Sequence, residues 1–346
     1  MWLISLRDLQ WRRRRFAIAV LVAGLAFALT LVMDGLLEHI RLESVRTVQL
    51  FDADGWVVSH GASGPFTTTK LLPQATTATV AHAAGVKDAS PLLMLRSTVG
   101  KVDVNMVGYE PGGMTEPTRV VHGRVATAPN EAMVDKTLGI GAGKTVTFAG
   151  HTYPVVGVLK DTSFYFGTPT VFLPIATAQK ALVAGQPLAS TIVTRGRPTS
   201  LGSGFDVMTN DQVRADLDRT LEKSTQTLDM INGLLWLVAA GIIGSIIYMS
   251  ALERVRDFAV LKATGASSSR LMAGLGLQAL ILAVLSGIVA SILAMLLAPL
   301  FPFPAEIPTS GYLTLLAVSL VVGLLASLAG LRRVAHIDPA LAFGGG

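Results

Sequence analysis

Charge is excluded from the sequence in four long stretches. From Phe16 to Met33, Met230 to Leu252, Leu271 to Ala305 and Ile307 to Leu331 there is no Asp, Glu, Lys or Arg, and Leu, Ala, Val, Ile and Gly dominate. A bilayer core about 30 Å thick is crossed by about 20 helical residues, so each stretch is long enough to span it. Pro299, Pro302 and Pro304 lack the amide hydrogens a helix interior needs and should end the third helix near Ala298. The pattern predicts four transmembrane helices, over 16–37, 230–252, 271–298 and 310–331. A short loop at 299–309 joins the last two.

The long remainder, 38–229, reads differently. Leu92–Val99 and Lys101–Tyr109 flank Gly100 and read as paired strands, and Lys144–Phe148 with His151–Val158 form a second hairpin about Ala149-Gly150. Ile175–Val183 and Thr209–Asp229 have helical spacing. The segment is therefore an α+β domain inserted between the first and second membrane helices. At its margins the helical spacing continues. Val213, Leu217, Leu221, Leu228 and Ile231 share one face, with Arg214, Asp218, Glu222 and Lys223 on the others. Leu37, Ile40, Ser44 and Val48 extend a narrower stripe after the first span. Two readings fit these margins: a pair of short juxtamembrane helices, or a stalk carrying the domain.

Composition agrees with a membrane protein: hydrophobic residues make up 51% of the chain and charged residues 15%, where soluble domains carry about 25% charged. There is no cysteine, which excludes disulfides, thiol catalysis and cysteine-zinc sites. The net charge of +5 is a question of place. Arg7 and Arg12–Arg15 precede the first span, Arg254, Arg256, Lys262 and Arg270 lie between the second and third, and Arg332 and Arg333 follow the fourth. Basic residues collect on the cytoplasmic side, so both termini (1–15 and 332–346) and the loop at 253–270 are expected there, with the inserted domain outside. The basic balance then reports orientation, and no nucleic-acid partner is implied.

Several motifs invite chemistry and receive a plainer reading. Gly139-Ile140-Gly141-Ala142-Gly143-Lys144-Thr145 resembles a phosphate loop, but Leu138 occupies the position where the pattern requires its first glycine. Arg13-Arg14-Arg15 ahead of the first span could mark an export signal, but the apolar run exceeds the usual 7–15 residues, so an uncleaved anchor is expected. The six histidines show no metal-ligand spacing, and no metal site or catalytic residue is assigned. Phe164-Tyr165-Phe166, with Phe172 nearby, concentrates aromatics in a chain that is 6% aromatic. These side chains read either as a patch for an extracytoplasmic partner or apolar substrate, or as part of the domain's own core.

The most informative stretch lies in the loop at 253–270: Glu253-Arg254-Val255-Arg256-Asp257-Phe258-Ala259-Val260-Leu261-Lys262-Ala263-Thr264-Gly265-Ala266. Its spacing is helical, and Gly265 sits where a C-terminal glycine cap belongs. The segment resembles the stretch between the second and third membrane helices of the MacB/FtsX-like ABC transporter permeases, with Asp257 where that family usually carries Glu. Leu6-Arg7-Asp8-Leu9 with Trp11–Arg15, and Arg332-Arg333-Val334-Ala335-His336-Ile337-Asp338-Pro339-Ala340, resemble the family's entry to the first helix and its tail after the fourth. In the inserted domain, Leu138–Val158 is similar to a small β-rich module of these proteins, and the domain's shortness resembles the compact DevC-like exporters.

The resemblance implies a non-catalytic permease subunit in a bacterial plasma (inner) membrane, a homodimer on a dimer of separate ABC ATPase subunits. ATP and Mg would be bound by the ATPase, with no cofactor in this chain. Glu253, Arg254, Arg256, Asp257, Phe258, Leu261, Lys262 and Gly265 would form a coupling helix gripped by the ATPase. The expected function is export of a hydrophobic or envelope-associated substrate by mechanotransmission, with a membrane-fusion protein or another extracytoplasmic partner as a further candidate. Three alternatives stay open: an FtsX-like regulator of a cell-wall hydrolase, an importer of a small solute such as an amino acid, and a membrane-anchored sensor or structural protein without an ATPase.

Overall fold

A computed structural model describes residues 13–253, 260, 267–301 and 305–335. The chain divides into two compact units, one formed by Met1–His39 with Gln226–Gly346 and the other by Ile40–Thr225.

The first unit is helical. It contains the first part of α1 (Arg13–Gln49), the latter part of α4 (Asn210–Glu253), and the whole of α5 (Ser268–Leu297) and α6 (Thr309–Ala335). Phe27, Leu31, Ile243, Leu282, Ala290 and Leu315 are buried together, with the Phe27 and Trp236 rings 6.0 Å apart. Gly24 lets α1 approach α5 closely: a Cβ there would stand 2.6 Å from Val289 Cγ1. Polar groups at one end of this unit are paired. The Asn232 side-chain amide donates to Asp34 at 2.6 Å, His39 Nδ1 lies 2.9 Å from Glu306 Oε1, and the Glu306 amide donates to the Gly35 carbonyl at 3.0 Å.

Among the described residues, Phe16–Gln49, Asn210–Met249 and Leu280–Leu300 are long and apolar enough to cross a membrane, while the apolar stretch Thr309–Val322 inside α6 is shorter. The helix α6 itself has 27 residues, about 40 Å at 1.5 Å per residue. After Leu297 a 3-10 turn, Ala298–Leu300, ends α5 where the prolines begin. Both α1, with 37 residues, and α4, with 44, are single helices belonging partly to each unit.

The second unit is α+β. Its strands are β1 (Gly55–Ser59), β2 (Leu72–Pro73), β3 (Asp88–Val99), β4 (Val102–Tyr109), β5 (Val120–Gly123), β6 (Ala132–Asp135), β7 (Thr145–Phe148), β8 (His151–Leu159), β9 (Thr170–Pro174), β10 (Leu188–Ala189), β11 (Thr191–Arg195) and β12 (Phe205–Met208), with a short helix α2 (Thr76–Ala81) after β2. Ten of them form the main sheet, in the order β12-β1-β11-β3-β4-β9-β6-β8-β5 with β7 paired to β8, while β2 and β10 pair separately. Most pairings are antiparallel, but β4–β9 and β6–β8 are parallel. Helix α3 (Ile175–Leu182) lies against β4, and Gly108 makes room for it, since a Cβ there would meet the Ala178 Cβ at 2.6 Å. Both expected hairpins form. Val99 pairs with Val102 around Gly100, and Phe148 pairs with His151 around Ala149 and Gly150.

Ala149 and Gly150 both stand at positive φ, 48° and 75°, the backbone of a type I′ turn whose twist suits a two-residue hairpin. Alanine is a poor occupant there, because its Cβ crowds the following carbonyl in left-handed backbone. Ala149→Asn gives the preferred Asn-Gly turn and should stabilise the domain by about 1 kcal/mol, read as a raised thermal midpoint of the full-length protein in detergent.

Candidate functional site

Within the second unit, α1 and α4 each present a buried stripe at helical spacing. On α1 it comprises Ile40, Glu43, Ser44, Thr47 and Val48; on α4 it comprises Val213, Asp216, Leu217 and Leu221. Each stripe contains one carboxylate, Glu43 at 4% exposure and Asp216 at 1%. A buried charge without hydrogen-bond donors is strongly unfavourable, so the partners of these two groups define the site.

Asp216 holds the loop around residues 64–68. Its Oδ2 accepts the Phe66 amide at 3.1 Å, and the Thr67 hydroxyl donates to Oδ1. The loop is pressed so close that a Cβ at Gly64 would sit 2.2 Å from the Asp216 Cγ, which only glycine avoids. Glu43 holds a second loop, residues 164–168. Its two oxygens accept the Phe166 amide at 3.1 Å and the Gly167 amide at 2.9 Å. Tyr165, Phe166 and Gly167 stand in succession at φ 59°, 59° and 70°. Left-handed backbone costs about 1–2 kcal/mol for each residue with a side chain. The payoff is a concavity of successive amides facing a carboxylate. Asn105 pins the ends of this loop, donating to the carbonyls of Phe164 and Thr168 at 3.2 and 3.1 Å.

Aromatic rings connect the two loops. Phe66 meets Phe164 edge-on at 5.5 Å, Phe164 lies 5.1 Å from Tyr165, and the Tyr165 hydroxyl donates to the Phe66 carbonyl at 3.3 Å. The series continues through Trp56 to Phe51, and the Trp56 indole donates to Asn210, the first residue of α4, at 2.8 Å. Arg96 covers the Tyr165 ring at 4.3 Å. Between the helices, the Ser44 hydroxyl donates to Asp218 at 2.6 Å. Two helices and two loops thus form a closed ring of contacts. Burial, helped by the Asp216 charge and opposed by Arg96, pushes the Tyr165 hydroxyl up to about 12.

Of the residues singled out from sequence, Phe164 and Tyr165 are buried and Phe166 is half-buried, so the aromatic run packs inside the domain at this junction. Glu253, the last residue of α4, is exposed. Arg254, Arg256, Asp257, Phe258, Leu261, Lys262 and Gly265 lie outside the described residues. The stripe expected on α4 ends sooner than its spacing suggests: Leu228 is half-buried and Ile231 exposed, both beyond the second unit. The glycine-rich segment follows a 3-10 turn, Lys136–Leu138, and enters β7 (Thr145–Phe148) instead of a helix, so it lacks the helix N-terminus a phosphate loop uses. Among the described residues no three His, Asp or Glu side chains gather as a metal site would require. Glu43 and Asp216 were not singled out by sequence reasoning. Their signal was an acidic residue at i+3 in an apolar stripe, after Ile40 and Val213 respectively.

Asp216→Ala removes a buried acceptor from the half-buried Phe66 amide and the Thr67 hydroxyl and should cost about 2 kcal/mol, whereas Asp218→Ala, at an exposed position, should cost under about 1 kcal/mol; urea unfolding of the two variants checks the difference. Between pH 10 and about 12 the folded chain keeps a Tyr165 proton that the unfolded chain loses, so stability should fall as pH rises. Tyr165→Phe should flatten that part of the stability-pH curve.

Two family matches cover the chain. Residues 16–218 match the MacB-like periplasmic core domain, and residues 230–339 match the FtsX-like permease C-terminal domain. An uncharacterized ABC transporter permease of Mycobacterium tuberculosis is 42% identical over 345 residues, 99% of both chains. A Staphylococcus haemolyticus protein, named provisionally as a hemin transport system permease, is 20% identical over 354 residues, again 99% of both. The crystal structure of the periplasmic region of MacB from Actinobacillus actinomycetemcomitans aligns at TM-score 0.37 and 14% identity, covering 49% of this chain and 94% of that one. By the extent of the core-domain match and its identity to the mycobacterial permease, the chain belongs to the MacB/FtsX-like family of ABC transporter permeases.

Proposed function

We propose that this permease works by mechanotransmission: an ATPase dimer, bound on the cytoplasmic side, moves α1 and α4, and these helices carry the displacement into the inserted domain on the outside. The observation that carries the reading is the pair of buried carboxylates, each on a helix that is unbroken between the two units and each fastened to a loop of the domain. A hydrogen-bonded helix transmits an axial shift with little loss, and a carboxylate gripping two donors passes it to the loop it holds. The absence of Asp, Glu, Lys and Arg from the four apolar stretches supports the same reading, since conduits for polar solutes usually carry ionisable groups inside the membrane. On this reading the substrate is hydrophobic or envelope-associated and the direction is export; hemin, in the name of the staphylococcal relative, is one compound of that class. Two copies of the chain would assemble on the ATPase dimer in a bacterial inner membrane, with four spans per copy, both termini cytoplasmic, and nucleotide and Mg held by the ATPase.

The coupling segment is where this reading is most exposed to test. Burial of one large apolar side chain is worth about 1.5–3 kcal/mol, against about 0.2–1 kcal/mol for an exposed ion pair. Phe258→Asp and Leu261→Asp should therefore release the ATPase from the membrane fraction, and Arg256→Ala should weaken its retention only in part. Reporter fusions after Pro198 should read extracytoplasmic, and fusions after Ala266 and at Gly346 cytoplasmic. Full retention of the ATPase by both aspartate variants, or a cytoplasmic reading at Pro198, would refute the proposal.

A further inference from the structure

The two loops of the junction are held in different ways. The loop at 64–68 fits Asp216 through a glycine that can occupy no other side chain's space, and it carries no left-handed residue with a side chain among those strained in the domain. The loop at 164–168 places Tyr165 and Phe166, two residues unsuited to it, in left-handed backbone. Asn105 ties the ends of that loop, and within it the Thr168 hydroxyl donates to the Tyr165 carbonyl at 2.7 Å, while the backbone amides at its apex, Phe166 and Gly167, donate to Glu43. The apex conformation is therefore one that the chain would leave if the carboxylate withdrew.

Its margin is small. The two bonds are 3.1 and 2.9 Å long, and a slide of α1 by one residue's rise, about 1.5 Å, breaks both if it is directed along them, stretching them to about 4.6 and 4.4 Å. Ser44, next to Glu43, is bonded to Asp218 on α4, so the contact between the helices sits beside both clasps. A relative displacement would load the strained clasp and the close-fitting one together, and the strained one opens first.

We propose that Glu43 is a positioning residue acting as a latch. It holds residues 165–167 in a strained backbone while α1 and α4 are in register, and movement of α1 against α4 during the transport cycle withdraws it, so that the loop relaxes and turns Tyr165 and Phe166 out of their seat. The second half of this statement rests on the mechanotransmission reading; the first half does not.

Amide hydrogen exchange on the full-length chain in lipid nanodiscs, without ATPase, decides the latch. Wild type should protect the Phe166 and Gly167 amides. Glu43→Gln replaces one acceptor by a donor and should speed their exchange about ten- to a hundredfold, the range for losing a hydrogen bond to a charged group. Adding Phe166→Gly should restore most of the protection, because glycine holds positive φ without help. Rescue at a second residue by relief of backbone strain is not expected if Glu43 merely stabilises the domain. Exchange within twofold of wild type in Glu43→Gln would overturn the latch. So would acceleration spread evenly over β3 and β4 with no rescue.

Release is read with the ATPase that co-purifies with the chain. ATP turnover should raise exchange at 166–167 and chymotryptic cleavage after Tyr165 and Phe166, and a Ser44→Cys/Asp218→Cys cross-link should abolish both rises. The chain has no native cysteine to interfere. Measurable turnover with no rise, or a rise that survives the cross-link, would overturn release. Failure of any ATPase to associate counts against the permease mechanism alone, because the latch is decided on the isolated chain.

Discussion

A carboxylate taken out of water must be met by donors, and in this protein that requirement falls on Glu43 and Asp216, on the parts of α1 and α4 that belong to the α+β unit. Glu43 meets it with two backbone amides of one loop of the domain, and Asp216 with a backbone amide and a threonine hydroxyl of another. A backbone amide can follow a moving carboxylate only if the loop that carries it moves. The aromatic series from Phe51 to Tyr165 then links these loops to each other and, through Trp56, to the start of α4.

The helical unit makes the complementary case about surfaces. Its buried cluster is modest, and large apolar side chains including Leu234, Leu237, Met295, Leu296, Leu313 and Leu325 remain exposed along α4, α5 and α6. Exposed apolar area on this scale is characteristic of surfaces that meet lipid or another protein. Polar pairs such as Asp34–Asn232 and His39–Glu306 are found within the unit.

Much of this architecture was legible in the residues. The four apolar stretches announce themselves by exclusion of charge, and the hairpins at Gly100 and Ala149-Gly150 by turn chemistry between alternating strands. The order of the sheet was not. Parallel neighbours such as β4–β9 join segments more than sixty positions apart, and nothing local in either strand encodes the partner. The aromatic run was visible as a concentration, but its role depends on Glu43, far away in the sequence. The α4 stripe was read as one face from Val213 to Ile231, yet burial stops at Leu221 because the α+β unit ends at Thr225. Periodicity reports which positions share a face; it does not report where the surface that covers that face stops.

The sheet order has a consequence for how the protein is made. The first strand after α1 and the last before α4 are neighbours, with Trp56 opposite Met208 and Ser59 opposite Phe205. The domain therefore cannot complete its β1–β12 edge until nearly all of it has left the ribosome, and closing so long a loop is an entropic delay that precedes the reward of pairing. During synthesis α1 must wait beside an unfinished sheet, and the buried carboxylate of Glu43 has no loop to bind until residues 166 and 167 arrive. Emergence of β12, immediately before α4, is then the event that allows the sheet to close, so the local hairpins β3–β4 and β7–β8 can form early while the domain's edge is the last part to be completed.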